Sequence, residues 1–505
     1  MRQFQRTPID RKSAANLITG ILCQLVNTLM GLVLPYLFIT SFGSETNGLL
    51  SSVTQLFVYV ELLEAGVGAA AVQAMYQPIA NRDREGINGV LAAANRSYLR
   101  TGVLYVLCVA GLTLVYPLFI RSGLSKGTIA AVVFLQGCGG AVSYLASGKY
   151  VLLLKAEGKL YVNNCLNLIA SILRNAGKIA AISLGYGVVT VQIVHFSITV
   201  ARALAVVIYV KWKYKWVHPW SKPNFQAISQ HGSALVHQLT WLVFNHTDVM
   251  ILTFVTGKLA LVSVYSLYLL VFEAIQNMLD IIGNGLQYKL GYSAQASLEA
   301  FRKYYRRYEA GFLAVSFALI LVAYLLVQPF IRLYTAGVND VDYLPPGLPE
   351  LFAAMKLLSI VRQLNRQAAD AAGHFRRTRK YSVIEMIINL GLSLLLAPFW
   401  GIYGVLVGSI AALLYSLLTY TRYTNEEILG TNCRRSSVLL ILYLLLAAIM
   451  GTAGKLFLPA ECTGYPQLIL LACLVTAAVG CAYAALWYYI TRYRGSSIPD
   501  NTEIL

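Results

Sequence analysis

Long apolar runs alternate with short polar connections along the whole chain. A helix that crosses the hydrocarbon core of a bilayer needs about 20 predominantly apolar residues. Each run reaches that length because charged residues or Gly/Pro clusters lie mainly at its ends. The pattern predicts fourteen membrane-spanning helices, near Ser13 to Thr40, Gly48 to Met75, Ser97 to Ile120, Thr128 to Leu152, Tyr161 to Leu184, Val188 to Val210, Leu235 to Thr256, Leu259 to Leu286, Tyr308 to Ile331, Glu350 to Gly373, Tyr381 to Trp400, Tyr403 to Arg422, Val438 to Phe457 and Pro466 to Ile490.

The composition is that of an integral membrane protein. Of the 505 residues, 57% are hydrophobic and only 12% are charged, and the mean hydropathy is +0.62. A soluble fold does not carry this balance, so we predict an all-α, polytopic membrane protein without a separate soluble catalytic domain. The basic segment Met1 to Lys12 leads into an apolar run that is too long for a signal peptide. We therefore expect the N-terminus to be retained.

The net charge of +18 would suggest nucleic acid as a partner in a soluble protein. Here the basic residues fall in the connections between apolar runs, where they act as topology signals. Of the 40 Lys and Arg residues, 28 lie on the side that holds the N-terminus, five lie on the opposite side and seven lie within spans. Because cytoplasmic loops carry the excess of Lys and Arg, we predict that both termini are cytoplasmic and that no nucleic acid is bound.

The longest cytoplasmic connection predicts a boundary between two lobes. It mixes Trp with Lys, which suits an interfacial segment at the lipid headgroups. We predict a six-helix lobe over residues 1–210, a linker over 211–234, a second six-helix lobe over 235–424, and two further helices with a cytoplasmic tail over 425–505. A weak colinear match between the halves predicts a parallel repeat, with coincidence as the alternative; it pairs Glu61 with Glu273, Pro117 with Pro329, Asn167 with Asn389 and Gly187 with Gly404.

Basic residues inside the predicted spans indicate a binding site for an anion. A charge at the centre of a bilayer costs about 2.5 to 3.5 kcal/mol, so such residues face a wet cavity or pair with one another. We predict that six of these basic residues bind the substrate between the lobes. The alternative is that each of them pairs with an acidic residue, as Arg366 could with Asp370, or extends to the membrane surface. The six are Arg174, Lys178, Arg202, Lys356, Arg362 and Arg366.

Acidic residues inside spans suggest ion coupling or charge pairing. They could bind a coupling cation, proton or sodium, or neutralise the basic set. We expect no other cofactor, because the chain shows no metal-binding or catalytic motif and its eight cysteines form neither a disulfide framework nor a CxxC pattern. The candidates for coupling or pairing are Glu61, Glu64, Asp248, Glu273 and Asp370, and Asp280 and Glu385 are further acids inside spans.

Three stretches of the chain carry recognisable motifs: NLITGILCQLVNTLMGLVLPYLFITSFGSETNGLLSSV, KAEGKLYVNN and NHTDVMILTFVTGKLALVSVYSLY. They resemble the polysaccharide-biosynthesis flippases of the multidrug/oligosaccharidyl-lipid/polysaccharide (MOP) superfamily, and the last of them has Asp248, Gly257 and Tyr265 at motif positions of that family. Glycine turns at 185–187 and 401–404 are similar to those that close each half in that family. The resemblance covers most of the chain.

The resemblance implies a two-lobed transporter in the bacterial cytoplasmic membrane rather than an enzyme. Such a protein moves an undecaprenyl-diphosphate-linked oligosaccharide from the cytoplasmic to the outer leaflet by alternating access, for cell-surface polysaccharide synthesis. Its partners would be the polyprenyl-diphosphate-linked glycan, membrane lipids and the glycan polymerase machinery.

Three alternatives stay open on the sequence. A cation-coupled multidrug exporter of the same superfamily would use the intramembrane acids, but the basic residues argue against cationic drugs. A lipid II flippase is marked by arginines on the first, second and eighth helices, where this chain has none centrally. A membrane-embedded glycan polymerase or glycosyltransferase would need a larger outer loop than the stretch 335–349.

Overall fold

A computed structural model describes residues 11–61, 67–228, 246–459 and 461–493, and within these ranges the regular structure is helical, without strands. The chain divides into two compact units, residues 1–263 and 264–505, with the boundary inside one long helix. The predicted lobe boundaries at residues 210 and 234 stay a prediction.

The first unit contains the helices of the amino-terminal half of the chain. The fourth predicted span is one helix interrupted by a π-helical turn, Ser143–Ser147, and a 3₁₀ turn, Gln226–Ile228, follows the sixth span. The helices are α1 Arg11–Phe42, α2 Ser44–Glu61, α3 Val67–Ala80, α4 Arg84–Phe119, α5 Lys126–Val142, α6 Gly148–Ala156, α7 Leu160–Ser183, α8 Val188–Lys213 and α9 at residues 246–251, which continues into a π-helical turn at Leu252–Thr256.

The second unit begins inside the next helix and ends with the two helices outside the predicted repeat. A π-helical turn, Thr424–Ile428, extends the twelfth predicted span. The helices are α10 Leu259–Ala296, α11 Leu298–Tyr334, α12 Leu348–Ala371, α13 Phe375–Trp400, α14 Ile402–Tyr423, α15 Arg434–Phe457 and α16 Tyr465–Tyr493.

Eleven helices in the described ranges are long and apolar enough to cross a membrane. The other three predicted spans fall short for identifiable reasons. The second comprises α2 and α3, and residues 62–66 between them lie outside the described ranges; the seventh is described only from residue 246. The tenth, α12, carries basic and acidic residues that lower its hydropathy. The prediction of an all-α, multi-pass membrane protein is confirmed.

Side-chain amides fix α1 beside α7 in parallel register. Asn16 donates to the backbone carbonyl of Gly158 at 3.0 Å and accepts from the backbone N–H of Tyr161 at 2.6 Å. Eleven residues further along α1, Asn27 accepts a hydrogen bond of 2.8 Å from Ser171 on α7. Because polar groups in a bilayer find few partners outside the protein, such bonds position helices against one another. They set the rotation of α7, which carries two of the candidate basic residues.

A glycine brings α8 close to α7. A methyl group added at Gly177 would lie 2.7 Å from a side-chain carbon of Val194, so any larger residue would push the helices apart. The two helices are antiparallel and are joined by a turn in which Gly185 has a φ of +78°, a backbone conformation that glycine adopts without steric cost.

Hydroxyl groups join α2 to the segment that follows α9. Ser52 and Thr253 are both fully buried, and their hydroxyl oxygens are 2.7 Å apart. Tyr116 on α4 donates to Ser52 at 2.8 Å. Near the start of α2, Asn47 donates to Ser263 at 2.8 Å. The residues around 246–263 therefore pack within the first unit.

Candidate functional site

Three basic side chains of the first unit lie on the antiparallel pair α7 and α8. Arg174 and Lys178 are one turn apart on α7, about 6 Å along the axis. Val194 on α8 faces Gly177 on α7, and Arg202 lies eight residues further along α8. Because the two helices are antiparallel, the backbone of Arg202 lies about 12 Å from the level of Gly177, toward the start of α7. The three cations are thus spread over about 14 Å along the helix axes. We call these three residues the basic cluster.

The basic cluster is shielded from solvent and its charges act on one another. Lys178 is 9% exposed, and Arg174 and Arg202 are half-buried. The charge of Arg174 acts on Lys178, on Arg202 and on the imidazole of His195, which lies on α8. Arg174 therefore repels the other two cations in the folded first unit.

No acidic residue in the described part of the chain forms an ion pair with the basic cluster. The Nε atom of Arg202 and the Nδ1 atom of His195 are buried without a hydrogen-bond partner among the described residues. Arg202 makes one long hydrogen bond of 3.5 Å to the amide oxygen of Asn163. The cluster thus has positive charge and hydrogen-bonding capacity that the described residues leave unused.

Neutral polar residues continue the cluster along α7. Asn163, Ser171 and Asn175 are all buried. Asn175 donates to Ser171 at 3.4 Å, and Ser171 donates to Asn27 of α1. Amides and hydroxyls at this spacing can bind hydroxyl-rich ligands, since each offers both a donor and an acceptor. The sequence pattern did not single them out, although they share the i, i+4 periodicity of α7.

In the second unit, the basic residues of α12 have acidic neighbours. Arg362 forms an ion pair with Glu385 on α13, and Glu385 also accepts a hydrogen bond of 2.8 Å from Ser416 on α14. Arg366 and Asp370 form the pair predicted from their spacing, with the longer distance of 3.9 Å. Lys356 is half-buried on the same helix. The charges of Arg362 and Arg366 are therefore largely matched within this unit.

The candidate acidic residues that the structure describes lie on four different helices. Asp248 is buried in α9 beside Thr247, whose hydroxyl bonds Tyr59 of α2 at 2.6 Å. Glu61 is exposed at the end of α2, Glu273 is exposed on α10, and Glu64 lies outside the described residues. In the described ranges, no group of three or more His, Cys, Asp or Glu could hold a metal ion.

Asp280, on α10, joins an amide network instead. Its carboxylate accepts from Gln276 at 3.0 Å and from Gln363 of α12 at 2.8 Å. The side-chain oxygen of Gln276 is buried without a partner in the part of the chain that is described. This network fixes α10 against α12 within the second unit.

The comparisons with solved structures identify the fold. The lipid II flippase MurJ, in an inward closed conformation, is similar with a TM-score of 0.63 and 13% identity over 94% of this chain and 99% of that chain. An inward-facing multidrug resistance transporter of the MATE family is similar with a TM-score of 0.62 and 15% identity over 81% and 98%. A MOP superfamily transporter from Pyrococcus furiosus, whose binding pocket is described as having reverse polarity, gives a TM-score of 0.50 and 15% identity over 83% and 97%.

No protein-family model and no curated protein matches the chain by sequence. The three solved structures described above are only 13–15% identical to this chain, so the likeness concerns the fold. The chain therefore has the multi-pass helical fold of the MOP superfamily transporters.

Proposed function

We propose that this protein is a flippase that moves an undecaprenyl-diphosphate-linked oligosaccharide from the cytoplasmic to the outer leaflet by alternating access. The observation that carries the proposal is the basic cluster of Arg174, Lys178 and Arg202, which has no acidic partner among the described residues. Three cations inside membrane helices are costly unless an anion or water compensates them. A diphosphate brings at least two negative charges and many acceptor oxygens.

The chemistry of such a substrate fits the cluster and its neighbours. A diphosphate and its sugars lose their hydration in a bilayer, so they do not cross unaided. Guanidinium and ammonium groups replace the water around the phosphates. The buried amides at Asn163 and Asn175 offer hydrogen bonds to sugar hydroxyls, while the polyprenyl chain stays in the lipid.

The comparisons alone do not distinguish this function from drug export. The TM-scores to the lipid II flippase and to the multidrug transporter differ by only 0.01. The sign of the charge separates the two functions, because a cluster of cations repels a cationic drug. The Pyrococcus furiosus transporter is an example of reversed pocket polarity within the same superfamily.

Lipid II is a second diphosphate lipid that the basic cluster could accept. We propose an envelope glycan unit instead, because the first, second and eighth predicted spans lack central arginines. The proposed substrate-binding set still includes Lys356, Arg362 and Arg366, and Asp248 stays a candidate for coupling to a cation.

The test is lipid flipping in proteoliposomes with the purified protein. A fluorescent polyprenyl-diphosphate oligosaccharide is supplied, and translocation is followed by a quencher in the outer medium. We expect wild-type protein to accelerate flipping and Arg174→Gln/Lys178→Gln to lose it. The matched control is Arg96→Gln/Arg100→Gln, which removes two exposed arginines at the same spacing on α4.

Three results would contradict the proposal. Equal flipping by the cluster variant and the wild type would reject the site. Efflux of a cationic dye without flipping of any diphosphate lipid would favour the multidrug exporter, and lipid II as the sole flipped substrate would favour the narrower alternative.

A further inference from the structure

The end of α8, from residue 211, and the chain that follows it to residue 228 are attached to the rest of the first unit by hydrogen bonds between residues 214 and 224. Asn88 on α4 donates to the backbone carbonyl of Trp216 at 3.0 Å and accepts from the backbone N–H of His218 at 2.9 Å. Asn95, about two helical turns further along α4, donates to the carbonyl of Pro219 at 3.1 Å. The backbone N–H of Asn224 donates to the carbonyl of Gly89 at 2.9 Å. We call residues 211–228 the docked segment.

A buried lysine also supports this attachment. Lys149 on α6 donates to the side-chain oxygen of Asn95 at 2.8 Å, which leaves the Asn95 amide nitrogen aimed at the docked segment. At its start, Tyr214 is 5% exposed and accepts a hydrogen bond of 2.8 Å from Lys159. The guanidinium of Arg84 lies 5.6 Å from the ring centroid of Trp216. The docked segment is therefore a fixed surface of the first unit.

The tyrosine and the three tryptophans of the docked segment divide into a packed pair and an exposed pair. Tyr214 and Trp216 pack inward, against each other and against the hydrophobic core. Trp212 is 71% exposed and Trp220 is 72% exposed. Folding thus uses two aromatic rings for docking and leaves two indoles on the surface. Exposed indoles are typical of the headgroup level of a bilayer, because one end of the ring is apolar and the other can donate a hydrogen bond.

The charge on the docked segment is entirely positive. It contains four lysines and no acidic residue, and all four lysines are exposed. Lys211 and Lys213 flank the exposed Trp212, and Lys222 follows the exposed Trp220 by two residues. The fourth lysine is Lys215. A basic residue close to an anionic membrane surface contributes about a fivefold increase in binding, which decays within a Debye length.

We propose that the docked segment is a binding surface for anionic phospholipid headgroups of the leaflet on the side of the N-terminus. Its lysines contact the lipid phosphates, while Trp212 and Trp220 insert at the headgroup level. Because hydrogen bonds at Asn88 and Asn95 hold the segment in place, little ordering is needed when lipid binds. The proposal does not depend on which substrate is transported.

The test measures lipid retained by the full-length protein. Protein is extracted from bilayers of equal phosphatidylcholine and phosphatidylglycerol, and the bound lipids are counted by native mass spectrometry. We expect the wild type to retain phosphatidylglycerol preferentially. Replacement of the four lysines of the docked segment by Gln should lower that preference more than tenfold, at about fivefold per lysine.

The control removes the same charge elsewhere. Four exposed basic residues on the same predicted side, outside the docked segment, are replaced by Gln, and we expect a clearly smaller loss of the preference than in the docked-segment variant, because these residues are not grouped with exposed indoles on one segment. They are Arg96, Arg100, Arg379 and Lys380. Equal thermal unfolding of both variants shows that folding is intact.

A second measurement separates lipid contact from net charge. Trp400 and Trp487, which are also exposed, are first replaced by Phe. Phosphatidylglycerol brominated near its headgroup should quench the tryptophan fluorescence of this background, and adding Trp212→Phe/Trp220→Phe should remove most of that quenching. Unchanged phosphatidylglycerol retention in the lysine variant would overturn the proposal. So would equal loss in the control variant, or quenching that survives in the tryptophan variant.

Discussion

The ion pair between Arg362 and Glu385 gives the sharpest test of how the two units use their basic residues. Glu385 is 4% exposed, and in the folded chain it is bonded by Arg362 and by Ser416. The variant Arg362→Met leaves a buried carboxylate without its cation. Removing one partner of a buried pair costs about 3–5 kcal/mol, whereas replacing both partners by neutral groups is close to neutral.

We therefore expect Arg362→Met to lower the unfolding temperature by roughly 10 °C, since about 1 kcal/mol corresponds to 2–4 °C for a unit of 150–250 residues. The double variant Arg362→Met/Glu385→Gln should recover most of this loss, because the amide oxygen of the substituted side chain can still accept from Ser416. The control is Arg174→Met/Lys178→Met, which removes charges that have no acidic partner among the described residues. It should leave the unfolding temperature unchanged or raise it.

A thiol-reactive dye provides the assay, because all eight cysteines are free and the six that are partly buried become more accessible as the protein unfolds. An unfolding temperature for Arg362→Met equal to that of the wild type would refute the reasoning, as would a double variant that is no more stable than the single one. A lipid-flipping assay then distinguishes a structural role of Arg362 from a role in substrate binding. A stable double variant that still flips lipid shows a structural pair, and a stable but inactive one shows that Arg362 also acts on the substrate.

Three further predictions concern packing, topology and pH. Gly48→Ala should destabilise the protein by about 1–3 kcal/mol, because its new methyl group would lie 1.8 Å from a backbone oxygen of α10. The control Gly111→Ala adds a methyl group that meets no atom within 4 Å, so it should be neutral or stabilising in thermal unfolding. In single-cysteine variants on intact cells, an impermeant maleimide should label Cys462 but not Cys433, and the reverse result would show that the predicted orientation is wrong. Burial raises the pKa of the Cys433 thiol, so Cys433 should be labelled slowly at neutral pH after the cells are permeabilised. Burial lowers the pKa of Lys159, but hydrogen bonds to a glutamate and a tyrosine outweigh burial and raise the pKa above 10.5. The stabilisation from Lys159 is therefore fully present below about pH 10.5 and is lost progressively as the pH rises further, so Lys159→Met should reduce the loss of stability that the wild type shows above about pH 10.5 in thermal unfolding.

The sequence by itself determined the class of the fold. In lipid, backbone polar groups must be bonded within the segment, so an apolar run of sufficient length can only be a helix. That is why the all-α, multi-pass prediction is confirmed even where boundaries moved. The spacing of Arg366 and Asp370 also predicted their contact, because residues four apart share a helix face. Such information is local and is present in the order of the residues.

Only the tertiary structure decided which charges are matched. Arg362 and Glu385 are 23 residues apart on different helices, and their contact depends on the rotation and packing of α12 and α13. The same holds for the basic cluster, which forms because Gly177 lets α8 approach α7 and because amides fix α7 beside α1. It holds as well for the docked segment, where Asn88 and Asn95 are bonded to backbone more than 120 residues away. Composition shows how many charges enter the membrane, but helix packing determines which of them remain available to a ligand.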